Sequence, residues 1–394
     1  MLNRRILRVK AFQTLYAFHQ CKHSNANLAQ DFIKEAFLPD LNSMEVQDRS
    51  LLKKEAERCI QVFIKNIDKE QLSLDKGDNE KVKDIAVKAI AFYNNNNKKD
   101  KEFLRTNMLT AVENIPGLYL FAISMLVGFG EHVRKEKMKK RKFEDQPVVT
   151  LPSAYNLGFN KALAIIEQNH SFKKECLRFD VDIAELELEI KEWYRELVKP
   201  LEEYQKYLTI ENPSLEEDKE ILQVIIKKII FKKEATLSFF QDRDLNWSEN
   251  KSIVRSLSTK VIKTITGTED EADEILPELA LNWEEDKEFF QDIYNFTIAS
   301  EKEYSELIAN TTKNWDVERI ALTDRVILIM ALSEMVNFSS IPTKVSINEY
   351  IDISKTYSTP KSKQFVNGLL DTLSKELTEN GKIRKSGRGL IDNK

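Results

Sequence analysis

Arg4, Arg5 and Arg8 open the chain, Lys10 follows, and Phe12, Tyr16 and His19 come next at helical spacing. Guanidinium forks grip phosphate oxygens two at a time, and flat rings offer faces on which unpaired bases stack, so this residue set could bind single-stranded RNA. At 100° per residue, Arg5, Arg8, Phe12, Tyr16 and His19 gather on one side of a helix over residues 4 to 20. Leu7, Ala11, Thr14 and Phe18 share the other side. Taken alone, the segment favours a plainer reading, with the aromatic residues as core and the arginines as a solvated face.

The other candidate chemistry is thinner. His19, Cys21 and His23 alternate, but on a helix Cys21 points about 160° away from the line joining the two histidines, which argues against a metal. Cys21, Cys59 and Cys176 form no CxxC pair and suggest neither a disulfide framework nor a zinc site. The run from Val133 to Lys142 is basic but interrupted by Glu136, the pattern of a solvated helix face that could also extend an RNA surface. Lys382, Arg384, Lys385 and Arg388 could add nonspecific phosphate contacts. Trp193, Trp247, Trp283 and Trp315 sit at polar helix boundaries, where large rings seal packing.

The elements that would position these residues are helical. Of 394 residues, 42% are apolar and 31% charged, with 10 Gly and 9 Pro, a composition that suits helices joined by short loops and an all-α fold. Net charge is −4, so any RNA site must be a local basic patch rather than a property of the whole surface. No apolar stretch followed by a small-residue cleavage site opens the chain, so a cytoplasmic protein is expected. The apolar run Ile115 to Gly130, broken by Pro116 and Gly117, is short of the ~20 residues of a spanning helix and reads as a buried one.

Polar segments at Lys69 to Lys81 and Asn94 to Lys101 read as loops, because their side chains cannot build a core. Residues 101 to 143 read as a helix, a Pro-Gly break and a second long helix, and further helices are expected at about 155 to 169, 181 to 207 and 216 to 240. At an offset of 68 residues, Glu216-Glu217-Asp218-Lys219-Glu220 recurs as Glu284-Glu285-Asp286-Lys287-Glu288, and Asn246-Trp247 as Asn314-Trp315. Residues 214 to 264 are therefore expected to be a degenerate copy of 282 to 332.

Towards the C-terminus, Val326 to Leu332 predicts a central buried helix, with Thr323 and Asp324 capping and charging its first turn. Ser346 to Glu349 has the spacing of a capping box, and Thr359-Pro360 marks a helix start. Phe365, Leu369, Leu373 and Leu377 run down one side of that last helix, and a polar, basic and disordered tail is expected from Asn380.

At Ile341-Pro342-Thr343-Lys344-Val345-Ser346-Ile347-Asn348-Glu349 and Phe365-Val366-Asn367-Gly368, the sequence resembles the NusB family of transcription antitermination factors. Arg4, Arg5, Arg8, Gln13, Leu15 and Tyr16 are similar to the family's arginine-rich opening helix, and Asp286 to Trp315 to its middle helices. The resemblance implies an all-α bundle built from residues 1 to 65 and 281 to 379, with a helical insertion at 66 to 280 and a flexible tail at 380 to 394. It resembles long forms of the family. Lys361 stands where the family often has an acidic residue, and Ile329 where many members have Arg.

What the resemblance implies about function is non-catalytic. Such proteins bind the boxA element of ribosomal RNA leader transcripts together with NusE, a small-subunit ribosomal protein, in a complex that keeps RNA polymerase elongating. Carried over by position, Arg4, Arg5, Arg8, Tyr16, Lys361 and Phe365 would contact RNA, and Asp324 would lie on the side that receives NusE. No cofactor, metal or membrane is implied. The resemblance makes Tyr16 an RNA contact and leaves Phe12 in the core.

Two other readings compete. A similar helical domain occurs fused to RNA cytosine methyltransferases, but no strand followed by a Gly-rich turn appears here. A protein scaffold whose RNA site has decayed would differ in whether Arg5, Arg8 and Tyr16 matter for RNA affinity.

Overall fold

A computed structural model describes residues 2–40, 42, 47–67, 69, 78–143, 152–268, 274–312 and 320–393. Among these residues the regular elements are helices and none is a strand, as the composition and period predict. The chain divides into two compact units: Met1–Ile6 with Thr110–Asp286, and Leu7–Leu109 with Lys287–Lys394. The second unit thus joins the N-terminal and C-terminal parts of the chain.

The second unit carries most of α1 (Arg4–Ala36), α2 (Arg49–Asn66), most of α3 (Glu80–Glu113), and five helices from the C-terminal part, the first of them all but its opening turn. Ala29, Ile33 and Phe37 pack with Cys59, Val62 and Phe63 of α2 and with Val82, Ala86, Ala89, Ile90 and Tyr93 of α3. The Asn94 to Lys101 tract, expected as a loop, is instead the middle of α3. The buried Asn25 of α1 explains it, for its amide donates to Asn97 Oδ1 at 2.9 Å and to Asp100 Oδ2 at 2.7 Å. With apolar turns buried on either side, helix propagates through residues of poor propensity.

In the same unit, α12 (Trp283–Ala299) and α13 (Glu301–Thr311) lead to α14 (Leu322–Asn337), α15 (Thr343–Tyr357) and α16 (Ser362–Glu379). Every residue from Val326 to Met335 is buried in α14, which packs against α13, α15 and α16. A helix apolar on all sides must be surrounded, and this one is. Neither Thr323 nor Asp324 caps it, because the cap position is Ala321, though Asp324 does occupy the first turn.

Two further expectations fail at helix starts. Ser346 lies inside α15, buried, with Pro342 at the cap, so the Ser346–Glu349 spacing is not a capping box. A capping box of the same spacing forms at Ser214 and Glu217, where both reciprocal bonds are present. The last helix begins at Ser362, not at Pro360. Its start is set by hydroxyls: Ser362 Oγ lies 2.9 Å from Ser358 Oγ and 2.8 Å from Thr359 Oγ1, and donates to Asp324 Oδ2 at 2.7 Å.

The tail is also ordered, contrary to expectation. Ile383 is buried, Ser386 N donates to Ser339 O at 3.0 Å, and Lys385 Nζ donates to Phe338 O at 2.9 Å. A Cβ on Gly389 would fall 2.1 Å from Ser339 O, so only glycine permits this approach.

The first unit is organised by α4 (Ile115–Phe143), whose residues from Leu118 to Gly130 are buried or nearly so. A window within Glu80–Lys139 is apolar enough to cross a membrane, with mean hydropathy 1.5, but 78% of it is buried inside the protein, as in a core helix. A 3-10 turn at Pro152–Phe159 packs along α4, followed by α5 (Lys161–Gln168), α6 (His170–Arg178), α7 (Glu187–Trp193) and α8 (Glu202–Tyr207). Next come α9 (Leu215–Ile225), α10 (Glu234–Arg243) and α11 (Trp247–Thr264).

The expected helices at 155 to 169, 181 to 207 and 216 to 240 are therefore broken more often than periodicity suggests. Trp247 stacks on Phe240 at 4.5 Å between centroids and Trp193 meets Phe239 edge-on at 6.1 Å, both as packing residues. For the proposed repeat, α9 continued by a π turn to Ile230 runs in register with α12, and α10 with α13. The third pair diverges, since α11 ends at Thr264 whereas α14 continues to Asn337. Trp315 and Asn314 lie outside the described residues.

Candidate nucleic-acid interface

Arg8, expected among the RNA contacts, is in the interior of the second unit at 4% exposure. Its Nε donates to Glu334 Oε2 at 2.7 Å and its Nη2 to Glu334 Oε1 at 2.8 Å, a two-pronged ion pair. Ser346 Oγ donates to Oε1 at 2.7 Å and Tyr350 OH to Oε2 at 3.0 Å, so both carboxylate oxygens are doubly engaged. Burial by itself would lower the Arg8 pKa, but Glu334 outweighs it and raises the value above that of an ordinary arginine. The guanidinium also lies 5.2 Å from the centroid of the Phe289 ring. Arg8 is thereby corrected from a phosphate contact to the residue that locks α1 to α14.

The other two arginines belong to the first unit. Arg4 Nε donates to Asp286 Oδ1 at 3.0 Å and Nη2 pairs with Glu285, so two carboxylates of the chain already hold its charge. Arg5 is exposed. Of the three arginines, only Arg5 keeps the exposure that a phosphate contact requires.

The aromatic residues are arranged in a row. Phe12 is buried, as expected, with Tyr16 at 6.4 Å and Tyr357 of α15 at 5.3 Å between ring centroids. Tyr16 and Tyr357 are both half-buried, and the Gln13 amide lies 3.4 Å from the Tyr357 hydroxyl. Beyond Tyr357 the chain turns into α16, where Lys361 is exposed at the cap position and Phe365 is half-buried in the first turns. Packing on Phe12 thus brings α1 to the α15–α16 junction, with tyrosine faces and an exposed ammonium on the same unit. Such a set can stack bases and attract phosphate.

Asp324, expected on a partner-binding side, is buried instead. One oxygen takes the Ser362 hydroxyl, and the other has no hydrogen-bond partner among the described residues. It braces the start of α16 and so holds Lys361 and Phe365 in place. His19 faces Glu301 at 3.6 Å, its pKa lowered by burial against the pull of that carboxylate, while Cys21 lies near Asp100. Among the described residues no cluster of His, Cys, Asp and Glu could hold a metal.

Sequence reasoning missed Glu334, Ser346, Tyr350 and Tyr357. For Glu334 there was a signal: a carboxylate set among Val326 to Met335, an almost wholly apolar run, must find a cation or a set of donors once buried. Tyr357 carried none, because a tyrosine near a helix end is ordinary.

The NusB family model matches residues 251–375, a stretch that starts within α11 and runs almost to the end of α16. Among curated relatives, the transcription antitermination protein NusB of Salinibacter ruber is 41% identical over 105 residues, covering 27% of this chain and 66% of that protein. That of Chloroherpeton thalassium is 36% identical over 143 residues, covering 35% of this chain and 68% of its own length. That of Natranaerobius thermophilus is 30% identical over 136 residues, covering 33% of this chain and 98% of its own length. No solved structure matches the chain. α1 lies outside the stretch matched by the family model, yet its Arg8 is bonded to Glu334 inside it. With nearly the whole of one relative and over two thirds of another aligned to it, this chain belongs to the NusB family.

Proposed function

We propose that this protein is an RNA-binding transcription antitermination factor that takes a boxA-type single strand from ribosomal RNA leader transcripts, together with NusE, and supports processive elongation by RNA polymerase in the cytoplasm. The observation that carries this reading is the half-buried Tyr16 next to Phe12, which in turn packs on Tyr357 at the end of α15, in a chain whose relatives are named as antitermination proteins. Arg5, three helical turns before Tyr16 on α1, supplies a phosphate contact, and Lys361 adds another where the family often has an acidic residue. Arg8 and Asp324 act from the interior, fixing the elements that present these groups.

The test is binding of the full chain to a boxA RNA and a scrambled RNA across a salt series, with and without its NusE. Arg5→Ala and Tyr16→Ala are compared with wild type. Sequence-selective binding that NusE tightens is expected, with Tyr16→Ala weakening it by about 1 to 3 kcal/mol and leaving the fold intact. Equal binding of both RNAs, unchanged by NusE or by either substitution, would sink the proposal and favour a protein scaffold.

A further inference from the structure

The first unit contains a feature that the reading above does not use. In the 3-10 turn that packs along α4, Tyr155, Asn156, Leu157, Gly158 and Asn160 are all buried, and Phe159 alone turns outward, 59% exposed. The turn is held at both ends. Asn156 Nδ2 donates to the carbonyls of Tyr207 and Ile210 at 3.1 and 2.7 Å. Asn160 caps α5 through Leu163 N at 3.0 Å and donates to Asp218 O at 3.1 Å.

Between these anchors, Gly158 lies so close to α4 that a Cβ would stand 3.1 Å from the backbone nitrogen of Arg134, while Arg134 Nη1 donates to Gly158 O at 3.1 Å. Phe159 is therefore carried on a backbone held at both ends. The Lys137 ammonium stands 4.1 Å from its centroid and 5.6 Å from that of Tyr155, so one side of the ring carries a cation.

We infer that Phe159 and Lys137 form a second contact for single-stranded RNA, in which a base stacks on the exposed ring and the adjacent phosphate is drawn to the ammonium. An exposed aromatic ring on an anchored turn with a cation beside it matches the geometry by which single strands are held without sequence preference. The ring stands alone among the buried residues of its turn, a footprint that suits one base rather than the several apolar anchors of a protein interface. Its role is to hold RNA flanking a specific element.

The probe is a single-stranded oligouridylate carrying 5-iodouridine, used with the full chain, beside the same length as duplex and vesicles containing phosphatidylglycerol. Photocrosslinking is expected at Phe159. Phe159→Ala should weaken oligouridylate binding about ten-fold, within the range for one stacked base, and Phe159→Tyr should keep it. Lys137→Gln should make the salt dependence shallower by about 0.7 in log–log slope, the value for one phosphate on a single strand.

Unchanged binding in Phe159→Ala, crosslinks elsewhere, or loss of vesicle binding in place of oligouridylate binding would overturn the inference. Tyr16→Ala measured in parallel separates the two proposals. If boxA selectivity is absent while the Phe159 crosslink and its loss persist, the boxA reading fails and this one stands.

Discussion

Glu334 in the second unit and Asp218 in the first are both carboxylates withdrawn from water, 0% and 2% exposed, but they are satisfied by different means. Glu334 has a full counter-charge in Arg8 and two hydroxyl donors besides. Asp218 has neutral donors, with the Tyr207 hydroxyl at 2.5 Å and the backbone nitrogen of Lys161 at 2.7 Å. Burial raises the Asp218 pKa above its ordinary 3.8, and the bonds from Tyr207 and Lys161 only partly counter it. A carboxylate without a direct ion pair, on which the Lys161 ammonium acts only through space, makes the fold sensitive to pH. A carboxylate that is doubly engaged by arginine instead ties two segments 326 residues apart, and it fails badly if either partner is lost.

The comparison is broken most directly at Glu334. Glu334→Gln should cost the second unit about 3 kcal/mol, because buried Arg8 loses its bonded counter-charge and keeps only Glu349, 4.0 Å away. Arg8→Met with Glu334→Met should recover much of that loss, as read from denaturant unfolding and from hydrogen exchange across α14 and α15. A double variant no better than the single one would mean that the ion pair itself, rather than the orphaned charge, dominates.

Tyr207→Phe should cost the first unit about 1 to 3 kcal/mol by removing a donor from a buried oxygen. Hydrogen exchange in α5 and α9 reports it, and a loss as large as that of Glu334→Gln would erase the distinction between the two sites. Ser346→Ala should cost about 1 kcal/mol, since Arg8 and Tyr350 still serve Glu334.

The smallest effect is on pH. A raised folded pKa means that the native state holds the proton more tightly than the unfolded chain, so the contribution of Asp218 is fully present below about pH 3.8 and lost as pH rises through its folded value. Relative to Asp218→Asn, wild type should therefore gain stability in the first unit on acidification from pH 7 towards 4. A difference between the two that stays flat over that interval would show that ionised Asp218 is not penalised.

Much of the fold was legible because period and composition survive into structure. The buried α14 followed from an unbroken apolar run, and the helix break at Asn114 from Pro116 and Gly117. The Asn94 to Lys101 tract was misread because its helix is sustained by Asn25, about 70 residues earlier, which no local pattern reveals. At the candidate site, Tyr16 and Lys361 keep the exposure that their chemistry needs, whereas Arg8 on the same helix face does not.

Residue types and spacing alone determined that this chain is helical, that cations and aromatic rings share one side of its opening helix, and that its C-terminal motifs are those of the NusB family. All three are local, since helical period and motif are written within a few turns. Which of the opening arginines stays exposed was decided only by tertiary structure. The Ser-x-x-Glu spacing makes the same point, forming a capping box at Ser214 but placing Ser346 against Glu334. Charge and hydrogen-bonding capacity belong to the residue, but the partner that uses them up is supplied by whatever segment packs against it, and that segment can lie hundreds of residues away.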